Sequence, residues 1–173
     1  GIEAKAAYHV GGVGPAAQDS LPPEMVIERD RVIEISGEMD TSGHLVWDVP
    51  EGKWTVMRFR HTSTGVQNLP APASGRGLEC DKLSKQAAEV MFDGLMGKLI
   101  ADNKRVVGEK RTLVSTHIDS WEVGSQNWTP KFREQFRRLR GYDPLPFLPV
   151  MSGRVVDSLE ISERFLWDVR MTV

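Results

Sequence analysis

The sequence has little cysteine, no long hydrophobic run and no excess of charge of one sign. Its single cysteine, Cys80, excludes an internal disulfide framework and any zinc site built from several thiolates. No stretch approaches about 18 consecutive apolar residues, so no membrane span is predicted. The 22 basic and 24 acidic side chains give a net charge of −2, which argues against a nucleic-acid binder held by a basic field. The composition, 40% hydrophobic and 27% charged over 173 residues, is that of a globular chain.

Glycine, proline and hydrophobic periodicity divide the chain into three regions. Residues 1–24 are rich in glycine and proline and are predicted to form an irregular linker. Residues 25–53 are predicted to form a β-rich segment of short strands. Residues 54–173 alternate strand and helix, with strands expected at 54–59 and 112–118, which is typical of parallel β/α units. Because a complete β/α barrel takes about 250 residues, the predicted fold class is α/β: the N-terminal part of an incomplete, TIM-type β/α barrel after a short β-rich segment.

Three stretches of this region carry the apolar spacing of helices. The first covers residues 83–102, and the second is predicted to begin at Thr129-Pro130 and to end at Gly141. The third begins with a predicted cap at Asp157 and shows no stop signal before Val173. Because it reaches the last residue without such a signal, we expect the chain to be a piece of a longer protein.

The densest polar cluster follows the second expected strand. His117 and Asp119 share a face of a regular strand, and Glu122 lies just past its end. Two carboxyls at a strand exit can face one cleft, where a drier pocket keeps one protonated while donors keep the other ionised. Trp121 and Trp128 can stack on the apolar face of a sugar. The same residues are equally compatible with a turn cap, a surface acid, a partly buried histidine and core tryptophans.

A second polar cluster follows the first expected strand. It contains His61 in a long polar loop and then Glu79 and Asp81, whose carboxylates can bind substrate hydroxyls or a hard cation such as Ca²⁺. The structural alternative makes Asp81 a helix N-cap with Glu79 favourably placed for the helix dipole. Cys80 is a poor nucleophile candidate, because two neighbouring carboxylates do not favour its thiolate.

Several stretches of this sequence, taken together, carry a resemblance to a known family. The most specific is His117-Ile118-Asp119-Ser120-Trp121-Glu122-Val123-Gly124-Ser125-Gln126-Asn127-Trp128-Thr129-Pro130. The others are Trp47-Asp48-Val49-Pro50-Glu51-Gly52-Lys53-Trp54-Thr55, His61-Thr62-Ser63-Thr64-Gly65, Gly77-Leu78-Glu79-Cys80-Asp81-Lys82-Leu83, Arg140-Gly141-Tyr142-Asp143-Pro144-Leu145-Pro146 and Ser162-Glu163-Arg164-Phe165-Leu166-Trp167-Asp168. Over residues 25–173 the sequence resembles glycoside hydrolase family 106, the α-L-rhamnosidases of bacteria that degrade plant polysaccharides.

The resemblance implies a large multidomain enzyme with a β/α-barrel catalytic domain and β-sandwich accessory domains. It implies hydrolysis of terminal α-L-rhamnosyl linkages with inversion, and calcium at the active site. Inversion needs a general acid and a general base with a water between base and sugar. Glu122 matches the family's strand-end glutamate and is expected to be the acid, with Asp119 orienting it or contacting the sugar. The sequence contains no matching motif for the base, which is expected beyond Val173.

The resemblance also sets expectations for substrate, location and activity. The expected substrate contacts are His61, His117, Trp121, Gln126, Asn127, Trp128, Glu79 and Asp81. The expected partner is a plant-derived glycan that contains rhamnose, the parent protein is expected to be periplasmic or secreted, and the chain alone is expected to be inactive. Two other classes stay open. One is a non-catalytic carbohydrate-binding module, and the other is a structural fragment whose unpaired strand edges favour self-association.

Overall fold

The computed structural model describes residues 23–103, 113–117 and 126–173 and has a mixed α/β architecture. The chain divides into two compact units: the first unit comprises residues 1–60 and 133–173, and the second unit comprises residues 61–132. Within the described part of the chain, no helix has the length and apolar character that a membrane crossing requires.

The described residues contain five α-helices and two short strands, besides several three-residue 3-10 helices. The α-helices and strands are β1 (Val26–Ile27), α1 (Lys85–Phe92), α2 (Lys98–Asp102), α3 (Phe132–Arg140), α4 (Leu148–Met151), β2 (Val155–Val156) and α5 (Leu159–Arg170). A π-helical segment, Asp93–Gly97, joins α1 to α2. The strands β1 and β2 pair in parallel, with Val26 opposite Val155 and Ile27 opposite Val156. The two-stranded sheet of the first unit is therefore formed by segments that lie far apart in the sequence.

An aromatic cluster forms the core of the first unit. The rings of Phe147 and Phe165 stack at 5.4 Å, and Phe136 lies 5.9 Å from Phe165. Tyr142 packs edge-on against Phe136 at 5.0 Å and against Phe147 at 5.4 Å. Three of these rings are almost completely buried, so they contribute the hydrophobic stabilisation that holds α3 and α5 together.

Two buried polar side chains of α5 are satisfied within this core. The hydroxyl of Ser162 accepts a hydrogen bond from the Val156 amide at 2.9 Å and donates one to the Val156 carbonyl at 3.0 Å, which joins α5 to β2. The carboxylate of Asp168 accepts a hydrogen bond from the Tyr142 hydroxyl at 3.0 Å. Burial, followed by this hydrogen bond, raises the pKa of Tyr142. Both contacts fit the rule that buried polar groups are paired.

Most of the predicted strands are wrong. Of the β-rich segment 25–53, Val26–Ile27 is a strand, and a single antiparallel bridge links Met39 to Leu45. Residues 54–59 form no strand, and residues 113–117 of the other expected strand show a single β-bridge residue, Leu113. A strand needs a hydrogen-bonded partner as well as suitable side chains, and residues 54–59 show none within the described chain; Val56 is 58% exposed. A complete β/α barrel is not established by these elements.

The predicted helices are confirmed, with corrections at their ends. Gly141 ends α3 in the left-handed region, at φ +80°, as predicted. The side-chain cap of α1 is Ser84, which accepts from the Ala87 amide at 3.3 Å, so Asp81 is not its N-cap. Ser158, rather than Asp157, caps α5, and that helix ends at Arg170.

The apolar residues of α1 and the π-helical segment are exposed rather than buried. Leu95 is 63% exposed and Phe92 is 44% exposed. The helical spacing predicted from the sequence is therefore confirmed, and the apolar face is largely exposed. No residue of α1 is buried.

Candidate functional site

The candidate site lies in the second unit and is organised by the carboxylate of Asp81. Its Oδ1 accepts hydrogen bonds from the Leu83 amide at 3.0 Å and from Gln126 Nε2 at 2.9 Å. Its Oδ2 accepts one from the Thr129 hydroxyl at 2.8 Å. We call the three side chains Asp81, Gln126 and Thr129 the Asp81 tie. It joins the two polar clusters that the sequence places some 45 residues apart.

Local sequence explains the shape of this carboxylate's loop. The bond from Asp81 to the amide two residues ahead is an Asx turn, a conformation that aspartate favours. A further bond from the Ser84 amide to the Asp81 carbonyl, at 3.0 Å, tightens the same turn immediately before α1. The turn therefore holds the Asp81 carboxylate beside the polypeptide that leads into α3.

Glu79 and Lys82 form an ion pair next to Asp81 in the sequence. The Lys82 ammonium lies 3.4 Å from Glu79 Oε1, and both side chains are mostly buried. Glu79 Oε1 also accepts from the Cys80 amide at 3.0 Å. Burial raises the pKa of the Cys80 thiol, and the carboxylates of Glu79 and Asp81 raise it further. These causes support the prediction that Cys80 is not a nucleophile.

Gln126 presents one satisfied and one unsatisfied end. Its amide nitrogen donates to Asp81, whereas its Oε1 is buried and accepts no hydrogen bond from the described residues. A buried carbonyl oxygen without a donor costs about 1–3 kcal/mol, so this atom is an acceptor with an unused capacity. The fixed direction of the donor end aims the acceptor end away from Asp81.

Of the other expected substrate contacts, the structure describes Trp128, Asn127, His61 and His117. Trp128 is half-buried and packs on Phe132, with ring centroids 4.6 Å apart. Asn127, His61 and His117 are exposed. The roles of these residues in substrate binding stay predictions. Asp119, Trp121 and Glu122 lie outside the described residues.

Calcium binding stays a prediction, because the described carboxylates alone do not supply enough ligands for this ion. Calcium takes about six to eight oxygen ligands. Both oxygens of Asp81 already accept protein hydrogen bonds, and Glu79 is paired with Lys82. Within residues 23–103, 113–117 and 126–173, no group of three or more histidine, cysteine, aspartate or glutamate side chains could hold a metal.

Thr129 is a site residue whose role the sequence did not predict. It was expected to cap α3 with its hydroxyl, but that hydroxyl donates to Asp81, and the side chain is buried. The backbone carbonyl of Thr129 accepts from the Phe132 amide at 2.9 Å, so the residue still begins the turn into α3. Its position in the longest resemblance motif is the one sequence signal that singled it out.

Comparison with known proteins places these residues in a family context. A family model described as alpha-L-rhamnosidase, of glycoside hydrolase family 106, matches residues 2–173. The match includes both halves of the Asp81 tie.

Two relatives are similar over most of the chain. A protein of Formosa agariphila, named as a beta-glucuronidase, is 42% identical over 153 residues, which is 88% of this chain and 13% of that protein. The solved structure of a rhamnosidase from Novosphingobium sp. PP1Y is 34% identical, with a TM-score of 0.67 over 84% of this chain and 14% of that one. The chain thus spans a small part of the length of the relatives it matches.

Proposed function

Because this chain belongs to glycoside hydrolase family 106, the α-L-rhamnosidase family, we propose that it supplies the acid half of an inverting rhamnosidase site. The supporting observation is the family match over residues 2–173, which includes the expected acid Glu122 and the described segment that follows it. The substrate is a terminal α-L-rhamnosyl residue of a plant-derived glycan.

The proposed roles follow from the chemistry of inversion. Glu122 donates a proton to the departing glycosidic oxygen, and Asp119 orients that carboxyl or contacts the sugar. A base on the opposite face activates water, and in inverting enzymes the two carboxyls stand about 6.5–9.5 Å apart. The base belongs to polypeptide outside this chain, so the isolated chain is inactive in this proposal.

Polar and aromatic side chains of the two polar clusters supply the proposed sugar contacts. Trp121 and Trp128 offer apolar faces, and Asn127, His61 and His117 offer hydrogen bonds. Gln126 contributes its buried, unpaired Oε1. Glu79 is held close by Lys82, which leaves its second carboxylate oxygen available to a hydroxyl. The family also implies calcium, and we expect its ligands to include groups beyond the described carboxylates.

The first experiment tests the substrate class. The full-length protein that contains this chain is assayed against nitrophenyl α-L-rhamnoside and nitrophenyl β-D-glucuronide, and proton NMR follows the first anomer released. We expect hydrolysis of the rhamnoside, initial release of β-L-rhamnose and no activity of the 173-residue chain alone. Hydrolysis of the glucuronide alone would favour the activity named for the Formosa agariphila relative.

The second experiment tests the acid. General acid catalysis gives a rate that falls as pH rises through the pKa of the acid, which forms the alkaline limb of a bell-shaped profile. Replacing Glu122 by Gln in the full-length protein is expected to lower kcat by about 10²- to 10⁴-fold and to abolish that limb. A variant that keeps both the rate and the limb would contradict the assignment.

Two non-catalytic outcomes remain measurable. Rhamnose binding that is unchanged by Glu122→Gln, with no turnover in the full-length protein, would indicate a carbohydrate-binding module. Size that rises with concentration, without sugar binding, would indicate a self-associating structural element.

A further inference from the structure

We propose that Asp81 is a positioning residue for the acid: it holds Gln126 and Thr129, which follow Glu122 by four and seven residues in the sequence. This inference rests on the proposed function and deepens it. Asp81 itself touches neither substrate nor the reacting atoms in this account.

The hydrogen bonds of Asp81 connect segments that are distant in the sequence. Asp81 bonds to side chains 45 and 48 residues further along, whereas the other side-chain bonds of its loop are local. Gln126 follows Glu122 by four residues in the sequence. A carboxylate that holds Gln126 therefore anchors one end of the short peptide to which the acid belongs.

Protein donors already take most of the hydrogen-bonding capacity of the Asp81 carboxylate. An ionised aspartate offers about four lone-pair positions, and three of Asp81's are taken by Leu83, Gln126 and Thr129. A sugar hydroxyl would have to compete with these protein donors. The geometry thus favours an anchoring role for Asp81 over the direct substrate contact expected from sequence.

The segment before α3 is held by hydrogen bonds as well as by ring packing. Within the described part of the second unit, Phe132 is the one buried large hydrophobic side chain. In the segment before α3, Trp128 packs on this ring with centroids 4.6 Å apart, and the hydrogen bonds to Asp81 add to that contact. Hydrogen bonds to a carboxylate are directional, which suits them to hold an orientation.

Leaving-group dependence separates a misplaced acid from a damaged fold. A phenyl leaving group needs protonation, whereas a dinitrophenyl group departs as a stable anion and does not. The full-length enzyme with Asp81→Ala is expected to lose about 10- to 100-fold in kcat for phenyl α-L-rhamnoside, because small misplacements of reacting groups cost rates of this order. KM, and kcat for the dinitrophenyl substrate, are expected to stay within about threefold of wild type.

Two further variants separate the loss of these hydrogen bonds from misfolding. Asp81→Asn keeps the shape and one acceptor oxygen, and is expected to recover most of the lost rate. Thr129→Val removes one donor without changing size, and is expected to shift the ratio of the two substrates in the same direction by a smaller amount, even if Asp81→Ala folds poorly.

Asp143 provides the matched control. It also forms an Asx turn, to the Leu145 amide at 3.1 Å, and also accepts two side-chain bonds, both from Arg133, but it lies in the first unit. Asp143→Ala is expected to leave the ratio of kcat values for the two substrates unchanged.

Three results would overturn the positioning role of Asp81: an equal loss on both substrates, a raised KM at unchanged kcat, or no change in either. The equal loss would indicate a structural role, and the raised KM would indicate a substrate contact. If Glu122→Gln, measured beside it, loses no more on the phenyl than on the dinitrophenyl substrate, the acid assignment itself fails, whatever Asp81→Ala does.

Discussion

Different interactions stabilise the interior of each of the two units of this chain. The first unit is built around stacked and edge-on aromatic rings, with Phe136 and Phe165 essentially inaccessible to water. The second unit has an exposed apolar helix and a polar tie centred on Asp81. Hydrophobic packing stabilises in proportion to buried area, while a hydrogen-bonded carboxylate stabilises one geometry. The difference indicates that buried aromatic packing dominates the first unit, whereas directional hydrogen bonds to a carboxylate connect distant segments in the described part of the second unit.

The largest expected difference in stability is between two phenylalanine-to-alanine substitutions, one in each unit. Phe165→Ala leaves a cavity in the core and is expected to cost about 3–5 kcal/mol of unfolding free energy. Phe92→Ala, at a side chain that is 44% exposed, is expected to cost about 1 kcal/mol. Native-state hydrogen exchange of the amides of α5 and α1 measures each loss locally. Equal losses of unfolding free energy in the two variants would contradict the difference in packing between the two units.

An intermediate effect is expected from the serine that joins α5 to β2. Ser162→Ala leaves the Val156 amide and carbonyl without their side-chain partner in a buried place, at a cost of about 1–3 kcal/mol. Ser152 is the matched control, because its hydroxyl donates one bond, to the Pro149 carbonyl, at an exposed residue. Its replacement by alanine is expected to cost about 0.5 kcal/mol, measured by urea unfolding. A larger loss at Ser152 would contradict the role given to burial.

The smallest expected effect is the pH dependence of the Arg133–Asp143 pair. The side-chain hydrogen bonds from Arg133 hold the pKa of Asp143 below its usual value. This stabilisation is present above about pH 4, where the unfolded aspartate is ionised, and is lost as pH falls through the lower pKa of the folded state. In Asp143→Asn the protection of α3 amides should fall less between these two pKa values than in wild type. Superimposable acid limbs would show that the pair contributes nothing measurable, as many exposed pairs do.

Helices were predictable from the sequence, and strands were not. The spacing of apolar residues and the Gly141 stop signal fix α3 locally, within a few residues of chain. A strand depends on a partner that local sequence does not identify: β1 pairs with β2, whose two valines are too few to show a period. The exposure of Leu95 was also out of reach, because periodicity predicts a face but not what covers it.

The sequence indicated candidate site residues but not the contacts between them. Asp81 and Gln126 were both expected to contact the substrate, yet their mutual bond depends on the folding of the second unit. The helix-cap role assigned to Thr129 is the usual one for that residue before a proline, and the hydroxyl takes a charged acceptor from elsewhere instead. Long-range polar pairing follows from the tertiary fold and leaves no local pattern.

The most direct test of the account compares Glu122→Gln with wild type on phenyl and dinitrophenyl α-L-rhamnosides, in the full-length enzyme. A general acid is required for the poor leaving group and is dispensable for the good one. The account predicts a loss of about 10²-fold or more on the phenyl substrate and a much smaller loss on the dinitrophenyl substrate. Equal rates in the two proteins on the phenyl substrate would contradict the central claim that this chain carries the acid.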